Sequence, residues 1–212
     1  MHKSAMLRMK WFVENYVPKD RKIRVLDVGS YDVNGCYKPL FVGYDVEYVG
    51  LDMHAGPNVD IVPAHIYAWE ELKSDTFDFV ISGNTFEHIE YPWLTITEIE
   101  RVLKPGGITC ILVPFAHVEH RYPVDCYRYF GDGLSALAKW AGLKVIQSSV
   151  GGIPENATPE WFDPTENYDD SVLIAVKRVP SSEVNLSIYP TLASTHLTRK
   201  WTISQKIVID KL

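Results

Sequence analysis

The chain has 212 residues, 46% hydrophobic and 23% charged, which suits one globular domain able to bury a core without disulfide or metal staples. A formal net charge of -6 with no Lys/Arg cluster argues against a partner gripped by its phosphates, so nucleic acid is not an expected ligand. Three cysteines without a CxxC pair, no apolar leader-like stretch and no run of membrane-spanning length give the expectation of a soluble, cytoplasmic protein with no membrane partner.

In chain order, residues 4–17 place Met6, Met9, Trp11 or Phe12, and Tyr16 or Val17 near helical spacing, which predicts an amphipathic helix stopped by Pro18. IRVLDVG (23–29) is a short apolar run ending in Asp and Gly, the pattern of a buried parallel strand. EYVGLDM (47–53) again ends in an acid, and VDIV (59–62) is a weaker strand behind a Gly-Pro-Asn turn. FDFVISG (77–83) is the clearest strand of all. TITEIERVLK (95–104) has helical periodicity and is ended by Pro105-Gly106-Gly107, after which ITCILVPF (108–115) forms the fifth strand. LSALAKWAGL (134–143) reads as a helix closed by Gly142. KVIQSSV (144–150) and SVLIAVKR (171–178) then flank a Pro-rich excursion whose Trp161 and Phe162 form either a lid or loop packing.

This alternation predicts the α/β class: a Rossmann-like, doubly wound, mostly parallel seven-stranded sheet with an antiparallel last strand. One domain covers residues 1–179. Residues 180–212 form an extension of unassigned role (a tail, an arm or an oligomerisation element), which leaves room for a homodimer.

In an open α/β sheet, ligands sit beyond the carboxyl ends of the strands. Asp27-Val28-Gly29-Ser30-Tyr31-Asp32 closes the first strand, and Gly29 permits the sharp turn there. The dinucleotide pattern G-x-G-x-x-G is absent: the next glycine is Gly35, and Asp32 would repel a phosphate. An acidic, glycine-poor loop fits a ligand with an ammonium and no phosphate, as in S-adenosylmethionine. Asp52, ending the second strand, is set to accept hydrogen bonds from both hydroxyls of a ribose. Ser82-Gly83-Asn84-Thr85-Phe86-Glu87-His88-Ile89 supplies a small-residue loop past the fourth strand, with His88 either structural or catalytic.

VLDVGS, YVGLDM, FDFVISGNTFEHIE and RVLKPGG, in this order and spacing, resemble the motifs of class I S-adenosylmethionine-dependent methyltransferases, most closely the methyltransferase type 11 group. The resemblance covers about residues 23 to 150. It implies S-adenosyl-L-methionine as cofactor and S-adenosyl-L-homocysteine as product. By the same resemblance Asp27 and Gly29 bind the methionine end, Asp52 the ribose, and Asn84 and Phe86 lie along the sulfonium side, with Ser30, Tyr31 and Met53 as further cofactor-binding candidates. Tyr31 stands where the family has its second glycine. Pro63-Ala64-His65 replaces the stretch that often carries an acid for the adenine amine, leaving that contact to the backbone near Ala64 or to His65.

Beyond the fifth strand, His117 to Tyr129 packs two His, two carboxylates, two Arg and three Tyr into 13 residues that should face an acceptor substrate. For transfer to a hydroxyl, a base must take the proton, and a histidine oriented by a carboxylate suits this. His120 is the candidate base, His117 the next, and Asp125 or Glu119 the orienting acid. Glu119, Arg121, Tyr127 and Arg128 are candidates to hold a small-molecule or glycan acceptor. The spacing of His117, Glu119, His120 and Asp125 is too loose to predict a metal, and none is expected. The alternative function is a non-catalytic S-adenosylmethionine-binding module supporting a partner enzyme.

Overall fold

The computed structural model describes residues 3–151 and 170–179, so Trp161, Phe162 and the 180–212 extension lie outside the described residues. Six strands form one sheet: β1 (Ile23–Val28), β2 (Val46–Leu51), β3 (Phe77–Gly83), β4 (Leu103–Pro114), β5 (Lys144–Val150) and β6 (Asp170–Val176). Their spatial order is β2-β1-β3-β4-β6-β5. The first four pair in parallel, and β6 enters antiparallel between β4 and β5.

The sheet is covered on both faces because its central strands carry apolar residues at almost every position. Val25, Phe79, Ile81, Cys110 and Ile174 point to one face, where they meet Met9, Phe12 and Tyr16 of α1 (Lys3–Tyr16). Leu26, Val80, Ile111 and Leu173 point to the other and meet α2 (Pro92–Val102) and α3 (Gly131–Trp140). Burying a large aliphatic or aromatic side chain is worth about 1.5–3 kcal/mol, so these two layers supply most of the drive to fold. Pro92 suits the first turn of α2, where its missing N–H has no partner to lose. α3 ends as its sequence predicts: Gly142 takes φ +80°, its N–H reaches Lys139 O, and the N–H of Leu143 reaches Ala138 O. No helix among the described residues is long and apolar enough to cross a membrane.

Three details depart from the sequence-based expectation. VDIV (59–62) makes one bridge, Ile61 to Leu51, and is no strand, so the described sheet has six strands where seven were expected. The physical reason is Pro63, which has no N–H to continue the ladder. The second helix stops at Val102, short of residue 104, and β4 begins at Leu103, taking Pro105-Gly106-Gly107 into the strand. Lys104 precedes a proline, and that disfavours the helical conformation. Between β1 and β2 the crossover holds only a 3₁₀ turn (Lys38–Phe41), with Tyr37 and Phe41 buried against the face that α1 covers.

Candidate functional site

The carboxyl ends of β1, β2 and β3 are stitched together by short backbone turns. Gly29 has φ +79°, and a Cβ there would lie 2.1 Å from Thr85 Oγ1, so only glycine allows the loop after β1 to lie against the loop after β3. The N–H of Gly29 donates to Leu51 O at 2.9 Å, and the N–H of Tyr31 donates to Asp52 Oδ2 at 3.1 Å. Asp52 also accepts from the N–H of His54 at 3.1 Å, which fixes the carboxylate at the end of β2 while it stays half-exposed. The Tyr31 ring lies over Gly56, where a Cβ would come within 2.2 Å of it.

Asp27 is almost wholly buried, and burial pushes its carboxyl up to about 7; the Tyr48 hydroxyl, which donates to Oδ2, works against that rise. Among the described residues, the buried Oγ of Ser30 and both amide atoms of Asn84 have no hydrogen-bond partner. Asn84 takes φ +52°, a left-handed conformation that asparagine tolerates better than most residues. Unpartnered polar atoms are costly when buried, by about 1–3 kcal/mol each, and Ser30 and Asn84 sit on the loops after β1 and β3, which fits a polar ligand at the strand ends.

Other expected positions lie apart from this cluster. Met53 is exposed next to Asp52. The N–H of Ala64 donates to Glu71 Oε1 at 2.8 Å, and His65 Nδ1 accepts from the N–H of Tyr67 at 3.2 Å. Phe86 is fully buried in the core beneath the loop, so its side chain supports that loop from below.

The polar-aromatic segment after β4 docks on the loop after β3. Both Cys126 and Tyr127 donate their N–H to Glu87 O, at 2.7 and 3.2 Å. His88 Nδ1 lies 2.6 Å from Val124 O, and Tyr127 Oη donates to Glu90 O at 3.0 Å. Arg128 clamps the segment from within: it makes two bonds to Asp125, at 2.5 and 2.7 Å, and donates to the carbonyls of His117, Val118 and Tyr127. Its guanidinium holds the Asp125 carboxyl well below the usual range. Asp125 Oδ2 accepts from the backbone N–H of His120 at 2.7 Å and lies 3.6 Å from the ring Nδ1. Thus Asp125 sets the course of the chain around His120. Glu119 and Arg121 pair with each other at 2.8 Å on the exposed rim. The rings of His88 and His120 stand 4.9 Å apart and those of His120 and His117 4.7 Å, making a row of three imidazoles.

Sequence reasoning passed over Glu87. It lies between Phe86 and His88, is fully buried, and has no hydrogen bond to either carboxylate oxygen among the described residues. Burial pushes its carboxyl up to about 8. The sequence shows an acid between Phe and His in the loop after β3, but nothing local marks it as buried.

The sheet order, the glycine turn after β1 and the acid closing β2 define the fold. This is the Rossmann-like fold of the class I S-adenosylmethionine-dependent methyltransferases, and S-adenosyl-L-methionine is the cofactor its strand ends fit. A family model of the type 11 group, a methyltransferase domain, matches residues 40–111, about a third of the chain. An uncharacterised methyltransferase of Mycobacterium sp. (strain KMS) is 32% identical over 95 residues, 41% of this chain and 37% of that protein. Another, from Mycobacterium leprae (strain Br4923), is 29% identical over 117 residues, 50% of this chain and 42% of that one. The chain spans about two fifths of the length of these curated relatives. Among solved structures it is similar to a Burkholderia thailandensis 1,6-didemethyltoxoflavin-N1-methyltransferase with bound 1,6-didemethyltoxoflavin and S-adenosylhomocysteine. The TM-score is 0.59 at 16% identity, covering 84% of this chain and 80% of that one. A Haloferax volcanii complex between the Trm112 methyltransferase activator and a methyltransferase gives a TM-score of 0.60 at 16% identity, covering 84% and 91%.

Proposed function

We propose that the chain transfers a methyl group from S-adenosyl-L-methionine to a hydroxyl of a small-molecule or carbohydrate acceptor. In this reading Asp27, Gly29, Ser30 and Tyr31 hold the methionine end, Asp52 and Met53 the ribose, Ala64 and His65 the adenine, and Asn84 the sulfonium side, with the buried Phe86 supporting the loop of Asn84 from below. When bound, the cofactor supplies an electrophilic methyl on a sulfonium. The protein's own part is to align the acceptor, keep water out and take up one proton. With the cofactor bound, the methyl would pass from its sulfur to the acceptor oxygen, S-adenosyl-L-homocysteine would leave, and the proton released from the acceptor would be held by the imidazole pair of His120 and His117. Glu119, Arg121, Tyr127 and Arg128 frame the acceptor. The observation that supports this reading is the docking of the 117–129 segment on Glu87 and His88, which sets three imidazoles beside the loop that carries Asn84.

Calorimetric titration with S-adenosylmethionine and S-adenosylhomocysteine tests it, run beside Asp52→Ala. Micromolar binding, about -8 kcal/mol, that weakens at least about tenfold in the variant is the expected result. A panel of hydroxylated acceptors, sugars first, then reads turnover, which His120→Ala combined with His117→Ala should abolish with binding intact. Failure of both ligands to bind refutes the reading. Binding with no acceptor ever methylated favours a non-catalytic module.

A further inference from the structure

Glu87, His88 and His120 offer one carboxylate oxygen and two ring nitrogens that lie within 4.8 Å of one another. Only His120 belongs to the set weighed from sequence spacing; Glu119 and Asp125 are taken up by Arg121 and Arg128. Two further features set this trio apart from a chance cluster. Glu87 is fully buried with both carboxylate oxygens unpartnered among the described residues, and its Oε1 is aimed at His88 Nε2, 3.7 Å away. A buried carboxylate without a partner is a large liability, removed when a cation supplies the missing charge. His88 also has a fixed tautomer. Val124 O can only accept, so Nδ1 carries the proton in the 2.6 Å bond between them, and Nε2 turns its lone pair toward Glu87.

We infer that Glu87, His88 and His120 form a binding site for one divalent transition-metal ion. The donor set of two imidazoles and one carboxylate selects an ion such as Zn2+ or Co2+ over Mg2+, which prefers oxygen throughout. Donors around a tetrahedral zinc stand about 3.4 Å apart, given bonds of about 2.0–2.2 Å. The Glu87–His88 separation of 3.7 Å is close to that already. The adjacent Arg128 charge reaches Glu87 and His88 but is partly offset by Asp125, to which it is bonded twice. Three protein ligands leave one position open, as in catalytic zinc sites. Joined to the proposed methyl transfer, on which this last role rests, the open position takes the acceptor oxygen and makes its proton easier to lose. His120 is then a ligand, and the neighbouring His117 is the imidazole that receives the proton.

The test is a Co2+ titration of the untagged, chelator-stripped full chain, followed by visible absorption and confirmed by Zn2+ competition in a calorimeter. The expected result is one ion per chain, no displacement by Mg2+, and affinity weakened by about tenfold or more in Glu87→Gln and in His120→Ala. His54→Ala, on the exposed loop after β2, should match the parent. His120 is partly exposed, so His120→Ala keeps the fold and decides the matter should Glu87→Gln fail to fold. No ion bound by the parent chain, or binding untouched by His120→Ala, overturns the inference. Because S-adenosylhomocysteine binding is read separately, failure of the metal site and failure of the methyltransferase reading are distinguished.

Discussion

Gly29→Ala probes the turn on which the cofactor loop depends. The backbone there is left-handed, at φ +79°, and placing a side chain in that region costs about 1 kcal/mol. The new Cβ would also lie 2.1 Å from Thr85 Oγ1, 2.4 Å from Cγ2 and 2.7 Å from Cβ, far inside van der Waals contact. The loop cannot swing clear without breaking the 2.9 Å bond from its own N–H to Leu51 O, so the loop after β3 must move. Overpacking of this kind costs about 1–3 kcal/mol, which brings the expected loss to about 2–4 kcal/mol. That is a large share of a typical domain's 5–15 kcal/mol. Urea denaturation reads the stability, and calorimetry with S-adenosylhomocysteine reads the site, where affinity should fall with the displacement of Asn84. Adding Thr85→Ala removes the two closest contacts but leaves Cβ and the φ strain, so about half of the loss should return. A loss below about 0.5 kcal/mol with unchanged affinity, or no recovery in the double variant, refutes the reasoning.

Asp27 has its carboxyl raised to about 7 by burial, so the fold favours its protonated form. The stability this gives is complete below the unfolded value near 3.8 and is lost as pH rises toward about 7. Asp27→Asn, which mimics the neutral form, should therefore gain on the parent by about 2–4 kcal/mol between pH 4 and 7.5 in denaturant titrations, while binding S-adenosylmethionine more weakly. Asp78 behaves in the opposite sense. Burial alone would raise it, but bonds from Lys104 Nζ, Arg24 N–H and Arg21 Nη1 hold its carboxyl below the usual value. Its contribution is present above about pH 4 and fades as pH falls, so Asp78→Ala should cost about 2–3 kcal/mol at pH 7 and less at pH 3. Tyr37→Phe removes a buried hydroxyl that has no partner among the described residues, and melting in the absence of ligand should show equal or greater stability, by up to about 1 kcal/mol.

The sequence by itself determined whatever depends on neighbours along the chain. Val25, Leu26, Val80 and Ile81 sit in apolar runs too short for helices, and such runs make buried strands. Gly142 ends α3 because only a left-handed residue closes that turn. Gly29 and Asp52 mark strand ends by residue type alone. Tertiary structure decided whatever depends on residues far apart. Pro63 denies the sheet a seventh strand only because the neighbour's ladder would need its N–H. Nothing local to Phe86-Glu87-His88 says that Glu87 is buried; that follows from Cys126 and Tyr127, some 40 residues on, donating to its carbonyl. Likewise Asp125 reads in sequence as an acid five residues past a histidine, whereas the fold gives its carboxylate to Arg128 and leaves His120 facing His88. Backbone preference and burial period act over a few residues and survive in the sequence. The pairing of charges and the desolvation of a carboxylate exist only once distant segments have met.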